Sequence, residues 1–97
     1  MTVKVIGLIE LTDQNAFEQY RSRVGQTVAL YNGSIQNRGS VNEIFWNELN
    51  CARFNAFVEL TFPSPEDAKA WAQSPEYQAL VTIRNTAMKL TLFAVTI

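Results

Sequence analysis

Two Ser-Pro-Glu strings, at residues 64–66 and 74–76, constrain the fold of this chain most strongly. In each string the Ser hydroxyl can cap the free N–H groups at a helix N-terminus, and Pro is favoured at the first helical position because it has no N–H to satisfy. A Glu in the first turn also interacts favourably with the helix dipole. The strings therefore predict two helices that begin ten residues apart and lie nearly end to end.

The rest of the chain alternates between strand and helix patterns. Strands are predicted at residues 3–11, 34–49, 53–62 and 89–97, where apolar and polar residues alternate or β-formers dominate. The second of these is expected to be a long, bent edge strand with a bulge at Arg38-Gly39-Ser40. Between the first two strands, Asp13 caps a helix with an apolar stripe that ends at Asn32-Gly33. The stripe consists of Phe17, Tyr20, Val24, Val28 and Tyr31.

The order of these elements is βαββαβ, and a weak internal repeat supports it. Glu10-Leu11-Thr12 ends the first strand before a helix, and Glu59-Leu60-Thr61 does the same for the third. Two such units with right-handed crossovers predict an α+β, ferredoxin-like sandwich with an antiparallel sheet in the order 4-1-3-2 and its helices on one face. A single domain over residues 1–97 is expected.

The face of the sheet turned away from the helices is predicted to be apolar. Ile6, Leu8 and Phe57 point to that side, together with one of two pairs from the last strand. The pairs are Leu90 with Leu92 and Phe93 with Val95. Apolar patches of this kind mark interfaces, so we expect a homodimer that packs two sheets face to face.

Composition excludes several classes of function. The 97 residues have a net charge of -1 and no basic run, so we expect no nucleic-acid partner. Near the N-terminus, the apolar run Val5 to Ile9 is stopped by Glu10 and is too short for a secretory or membrane-spanning segment. We therefore expect a cytoplasmic protein without membrane contact.

The chain has no His and one Cys, which rules out most metal and nucleophile chemistry. A His-bearing zinc site, a His-carboxylate iron site, a Cys-His pair and a Ser-His-Asp triad all need His. The four glycines form neither a phosphate loop nor a dinucleotide turn. No metal and no cofactor are expected, and Cys51 is predicted to be a small buried apolar residue.

Four cationic or aromatic positions are candidates for ligand contact. Arg84 falls on an apolar helix stripe, seven residues after Tyr77. Arg84 either forms a structural ion pair or anchors the acid group of a ligand. Tyr77 is a further candidate for ligand contact. Arg38 lies at the bend of the edge strand, as a solvated turn residue or a cleft residue. Trp46 on that strand either walls an aromatic pocket or covers the core or a dimer seam.

Glu10 and Glu59 are a possible acid/base pair. They occupy equivalent positions in the repeat, and we expect them close together on adjacent parallel strands. Two close carboxylates can share a proton and act as general acid and base. The alternative is that they stay solvated or pair with Lys4 or Arg53.

Several short motifs resemble those of the domain-of-unknown-function 1330 family over essentially the whole chain. The most specific is Ser74-Pro75-Glu76-Tyr77-Gln78, and the others are Tyr31-Asn32-Gly33, Arg38-Gly39-Ser40, Phe62-Pro63-Ser64, Tyr20, Ala68, Trp71 and Arg84. The resemblance implies a small, mostly bacterial type of protein in the dimeric α/β-barrel superfamily, with no established activity. The chain departs from the family where it has Gly25, Asn32 and Ser40, since members commonly have Pro, Gly and Gly there.

Three functions remain open at this level. The first is a dimeric protein that binds a small organic acid or aromatic metabolite between helices and sheet. The second is a cofactor-free enzyme similar to the small monooxygenases and isomerases of that superfamily, which use Trp, Asn, Tyr and Arg to hold a substrate. The third is a structural or stress-related dimer without a ligand.

Overall fold

The computed structural model describes residues 2–97, so Met1, the first residue of the predicted domain, lies outside them. The strands are β1 (Val3–Leu11), β2 (Ser34–Ser40), β3 (Ala56–Phe62) and β4 (Met88–Thr96). The helices are α1 (Gln14–Ala29), α2 (Pro65–Gln73), α3 (Pro75–Gln78) and α4 (Val81–Ala87). This order confirms the predicted βαββαβ pattern, with the second helical region divided into three pieces.

The four strands form one antiparallel sheet in the order β2-β3-β1-β4. This is the predicted order 4-1-3-2 read from the other edge, and the fold is ferredoxin-like. At the centre, Val5 of β1 lies opposite Leu60 of β3 and Ala94 of β4. Because side chains alternate between the two faces, this register places one set of apolar residues of all three strands under the helices.

The predicted helix caps are confirmed. Asp13 accepts a hydrogen bond from the backbone N–H of Ala16 at 2.8 Å. Ser64 and Ser74 accept from the N–H groups three residues later, at 3.1 and 3.0 Å. The helix that Ser74 begins is shorter than expected, because α3 is a single turn and α4 begins after Leu80 without a side-chain cap.

The predicted long second strand is wrong beyond Ser40. Strand β2 ends there because its partner β3 begins only at Ala56, directly opposite Ser40. One further backbone hydrogen bond joins Val41 to Asn55. Residues 42–54 have no neighbouring strand to pair with, and an unpaired extended segment has no ladder to stabilise it. The bulge also differs in position, since the register shifts between Ile35 and Asn37 rather than at residues 38–40.

The core lies between the sheet and the helices and is sealed by close contacts around Gly33. A Cβ at Gly33 would lie 2.5 Å from the Phe62 ring and 2.8 Å from Val28. The residue before it, Asn32, has the positive φ of 66° that ends the helical region, which is a conformation that Asn tolerates better than most residues. Asn32 therefore makes the turn, and Gly33 provides the space.

The face away from the helices, here called the open face, is partly apolar as predicted. The register puts Phe93 opposite Ile6, and Val95 opposite Lys4, on this face. Phe93 and Val95 are 44% and 40% exposed. The structure therefore selects Phe93 and Val95 over Leu90 and Leu92, which pack against the core.

Gly25 and Gly33 are expected to respond oppositely to substitution by Ala. Gly25 lies inside α1, and a Cβ there would meet only Ile35 at an ordinary 3.7 Å. Gly25→Ala should therefore raise the free energy of unfolding by about 0.5 to 1 kcal/mol, because Ala favours the helix. Gly33→Ala should lower it by about 1 to 3 kcal/mol through overpacking.

Thermal unfolding of both variants measures this difference. A change of about 1 kcal/mol moves the Tm of a domain of this size by about 4 to 8 °C. A lower Tm for Gly25→Ala would show that α1 needs Gly at this position. An unchanged Tm for Gly33→Ala would show that Phe62 and Val28 can move aside.

Candidate functional site

A cleft of about 270 Å³ lies between α1 and the helix side of the sheet. This volume exceeds the roughly 150 Å³ of a cavity that binds benzene and approaches the roughly 300 Å³ of small ligand pockets. Helix α1 contributes Phe17, Tyr20 and Val24 to the lining, and Leu60 and Leu90 belong to the floor. The interior is therefore apolar and large enough for a ligand built around one ring.

Trp71 forms part of the cleft wall and is held in place on several sides. Its indole Nε1 donates a hydrogen bond to the Thr27 hydroxyl at 3.0 Å, and Thr27 in turn donates to the Val24 carbonyl at 2.7 Å. The indole centroid lies 4.5 Å from that of Tyr77 and 5.7 Å from that of Phe62. This wall is rigid, because a buried aromatic group with its polar atom satisfied has little freedom to move.

Two exposed cations, Arg21 and Arg38, lie at the rim of the cleft. No Asp or Glu is among the residues of 2–97 that line it. Arg21 has a distant carboxylate partner, since its Nη1 lies 4.0 Å from Glu18. Within the described chain, no carboxylate oxygen lies within 4.0 Å of Arg38. The rim is therefore positive above an apolar interior.

The bulge in β2 explains why Arg38 belongs to this rim. After the register shift, Asn37 lies opposite Glu59 and Arg38 lies opposite Val58, whose side chain faces the core. Without the extra residue, Arg38 would lie opposite Phe57, on the open face. A shift of one residue reverses the face of every following side chain, so the bulge turns this guanidinium toward the cleft.

A chain of three polar groups runs behind the cleft wall. The Tyr20 and Tyr77 hydroxyl oxygens lie 2.9 Å apart, and Arg84 Nη1 donates to the Tyr77 hydroxyl at 3.0 Å. The Arg84 guanidinium carbon also lies 5.6 Å from the centroid of the Tyr77 ring. Tyr20 lines the cleft, whereas Tyr77 and Arg84 do not. Arg84 is thus linked to the cleft only through the two hydroxyls.

The Tyr20 hydroxyl is a neutral group at physiological pH. Burial raises its pKa far above the ordinary 10.0, and the neighbouring Tyr77 raises it further. The positive charges of Arg84 and Arg38 oppose these effects but are weaker. The Tyr20 hydroxyl therefore stays in the neutral form that hydrogen-bonds to Tyr77, and it does not act as a base.

The structure brings some predicted site residues together and separates others. Arg38 is at the cleft, and Tyr77 and Arg84 are joined behind it. Within residues 2–97, no carboxylate oxygen lies within 4.0 Å of Arg84, so the ion pair weighed for it is replaced by the Tyr77 hydroxyl. Trp46 does not line the cleft; it is 81% exposed in the connection between β2 and β3. Cys51, expected to be buried, is exposed in the same connection.

The predicted proximity of Glu10 and Glu59 is wrong. Strands β1 and β3 are antiparallel, and Glu59 lies opposite Ile6 whereas Glu10 lies opposite Lys89 on the other neighbouring strand. Four residues along β1 correspond to about 13 Å, too far for two carboxyl groups to share a proton. Lys4 lies 3.2 Å from Glu59, which confirms the alternative partner. Hydrogen bonds from Asn37 and then Lys4 lower the pKa of Glu59.

Tyr20 and Arg21 were not singled out as site residues from the sequence. Tyr20 belongs to the apolar stripe of α1, which predicts a core position, and it is both buried and part of the cleft lining. Arg21 carried a usable signal, because it lies four residues after Phe17 and three before Val24, on the edge of the same stripe. A long cationic side chain at the edge of an apolar stripe can reach the rim of a cleft beneath the helix, as Arg21 does here.

Residues 2–97 lack two kinds of structural feature. No three His, Cys, Asp or Glu side chains come together in a group that could hold a metal ion. None of the helices has the length and apolar character needed to cross a lipid bilayer.

Removing the Tyr77 hydroxyl should expose the energetic role of the polar chain. Tyr77→Phe leaves the buried Tyr20 hydroxyl without its partner and should cost about 1 to 3 kcal/mol of unfolding free energy. Tyr20→Phe should cost only about 1 kcal/mol, because Tyr77 keeps Arg84. The double variant should cost less than the sum of the two, since no orphaned hydroxyl remains.

Urea unfolding of the wild type, both single variants and the double variant completes this cycle. Strictly additive losses would show that the two hydroxyls are energetically independent.

Comparison with known proteins supports the fold assignment. Among curated proteins, none matches the sequence significantly. A protein of unknown function from Rhodopseudomonas palustris shares 14% identity at a TM-score of 0.75, covering 97% of this chain and 80% of that one. A dimeric ferredoxin-like protein of unknown function from Thermobifida fusca shares 14% identity at a TM-score of 0.64, covering 100% and 92%.

A third similar structure is an enzyme. SnoaB, a cofactor-independent oxygenase from Streptomyces nogalater, shares 12% identity at a TM-score of 0.68, covering 99% of this chain and 92% of its own. At these identities the likeness concerns the fold alone. The family assignment comes from the sequence, because the model of the domain of unknown function 1330 matches residues 3–97. The chain belongs to the DUF1330 family.

Proposed function

We propose that the chain acts as a homodimer in which each protomer binds a small organic acid with an aromatic or apolar body in the cleft. The observation that supports this most directly is the combination of an apolar interior with Arg38 at its rim. An apolar body is stabilised by leaving water, and a guanidinium forms strong, often bidentate hydrogen bonds to a carboxylate. A neutral or cationic ligand would leave the Arg38 charge unused.

The aromatic wall favours a planar body for that acid. Tyr20 and Trp71 line the cleft, and offset or edge-to-face contacts between their rings and a ligand ring would add to the area that is buried. The hydrogen bond between the Tyr20 and Tyr77 hydroxyls behind the wall keeps the Tyr20 ring oriented.

The open face supports the dimer. It combines Ile6, Leu8 and Phe57 with Phe93 and Val95. Phe93 and Val95 stay substantially exposed in the single chain. Two such faces packed together would remove this apolar surface from water, and a two-fold axis makes one patch complementary to itself. The Thermobifida fusca protein, described as dimeric and ferredoxin-like, is consistent with this proposal.

The charge of the ligand can be tested with a matched pair of probes, cinnamate and its neutral amide. Cinnamate should bind more tightly, and Arg38→Met should weaken its binding about ten- to a hundredfold by removing a charge-assisted hydrogen bond of about 1.5 to 3 kcal/mol. Arg23→Met is the control, because Arg23 is exposed on the same helix as Arg21 but does not line the cleft. Isothermal titration calorimetry gives all affinities.

The outcomes separate the three candidate functions. Equal affinity for acid and amide would contradict the role of Arg38. If no member of a panel of aromatic carboxylates binds at millimolar concentration, the result would favour the third candidate, a dimer without a ligand. Conversion of a bound acid, quinol or lactone in air without added cofactor would instead support the cofactor-free enzyme.

The dimer is expected to depend on Ile6. Ile6→Asp places a carboxylate at the centre of the open face, where burying it without a partner costs several kcal/mol. Light scattering should show a dimer for the wild type and a monomer for this variant. Gln19→Asp, at an exposed position of α1, is the control and should remain dimeric. A monomeric wild type at all concentrations would overturn the dimer.

A further inference from the structure

The connection between β2 and β3, here called the arm (residues 41–55), exposes large apolar side chains. Phe45, Trp46 and Leu49 are 73%, 81% and 89% exposed. Scattered exposed apolar residues are ordinary, but three within five positions of one loop form a patch. Connections of this length without strands or helices are uncommon in small domains and are often functional.

The arm has its own hydrogen bonds and is not merely a loose connection. At its base, Val41 donates to the Asn55 carbonyl at 3.0 Å, and Asn55 donates to the Ile9 carbonyl at 2.8 Å. Near its tip, the Asn47 side chain bonds to both the N–H and the carbonyl of Cys51, at 3.1 and 3.0 Å. The apolar side chains are therefore presented on a shaped segment, which lowers the entropy lost when a partner covers them.

The arm does not cover its own protomer. None of residues 41–55 lines the cleft, although Ser40 and Ala56 on either side of the arm do. The Phe45 and Trp46 rings lie 6.5 Å apart and contact each other, yet both stay exposed to solvent. Both rings are therefore accessible to a partner molecule.

We infer that the arm packs on a second copy of this chain and extends the dimer interface of the open face, so this inference rests on the dimer in the proposed function. The arm ends next to that face, because Phe57 follows it by two residues and lies opposite Leu8 on the open side. The base of the arm therefore lies within two residues of the open face along the chain.

Interface size also favours a second copy. A stable interface uses roughly 20 to 30 residues per side. Strands β1, β3 and β4 offer only alternate residues to the open face, and several of these are polar, such as Lys4 and Glu59. The arm supplies the missing contact area and the aromatic anchors that dominate interface energies. Under two-fold symmetry, both arms become buried at once.

Trp46 reports directly on the position of the arm. The chain has two Trp residues, and the other, Trp71, is buried. Subtracting the emission of Trp46→Phe from that of the wild type isolates Trp46. In the dimer we expect blue-shifted emission and a several-fold smaller acrylamide quenching constant than in the Ile6→Asp monomer. Trp46→Ser should raise the dimer dissociation constant at least tenfold, and the control Glu43→Ser should leave it within about twofold.

The failures of the two proposals can be told apart. If Ile6→Asp breaks the dimer while Trp46→Ser leaves the dissociation constant unchanged and Trp46 is freely quenched in the dimer, the arm inference is overturned and the dimer stands. If Trp46 is equally protected in the Ile6→Asp monomer, the arm covers its own protomer, which also overturns the inference. If Trp46→Ser weakens the dimer and Ile6→Asp does not, the arm is at the interface and the open face is not. A monomeric wild type overturns both.

Discussion

The central strand β1 holds this structure together, because it pairs with β3 on one side and with β4 on the other. Its alternating side chains separate the molecule into a helix-covered core and an open face. The pairing is tight around Gly7, where a Cβ would lie 2.6 Å from Val58 and within 3.3 Å of two Leu side chains of β4. The absence of a side chain at this one position lets branched side chains from both neighbouring strands close over the strand that carries the sheet.

On the helix-covered side of the sheet, the rigid wall that contains Trp71 borders the open cleft. The wall consists of the aromatic rings packed around Trp71 and the hydroxyl chain from Tyr20 to Arg84. Its polar atoms all have hydrogen-bond partners, because no buried side-chain polar atom in residues 2–97 lacks one. The cleft lies directly in front of that wall, beneath α1. A space next to well-packed groups keeps its shape without a ligand, which favours binding because little ordering is needed when a ligand enters.

The two proposed surfaces meet at the same end of the sheet. Ser40 and Ala56 belong to the cleft, and the arm leaves the sheet between them. Assembly of two protomers through the arm would therefore occur next to the cleft rim, where Arg38 lies.

The sequence by itself determined the element order, the three helix caps, the apolar stripe of α1 and the two faces of the sheet. These features depend on residues close together in the chain, whose spacing is visible directly. Only the tertiary structure decided the bulge that turns Arg38 toward the cleft, the separation of Glu10 from Glu59, the loss of strand beyond Ser40 and the exposure of Trp46. Each of these depends on which strand lies opposite which, and pairing between distant segments is set by the whole packed core. The site was therefore predictable in part of its residue types, but the sequence did not decide its walls or the side to which Arg38 points.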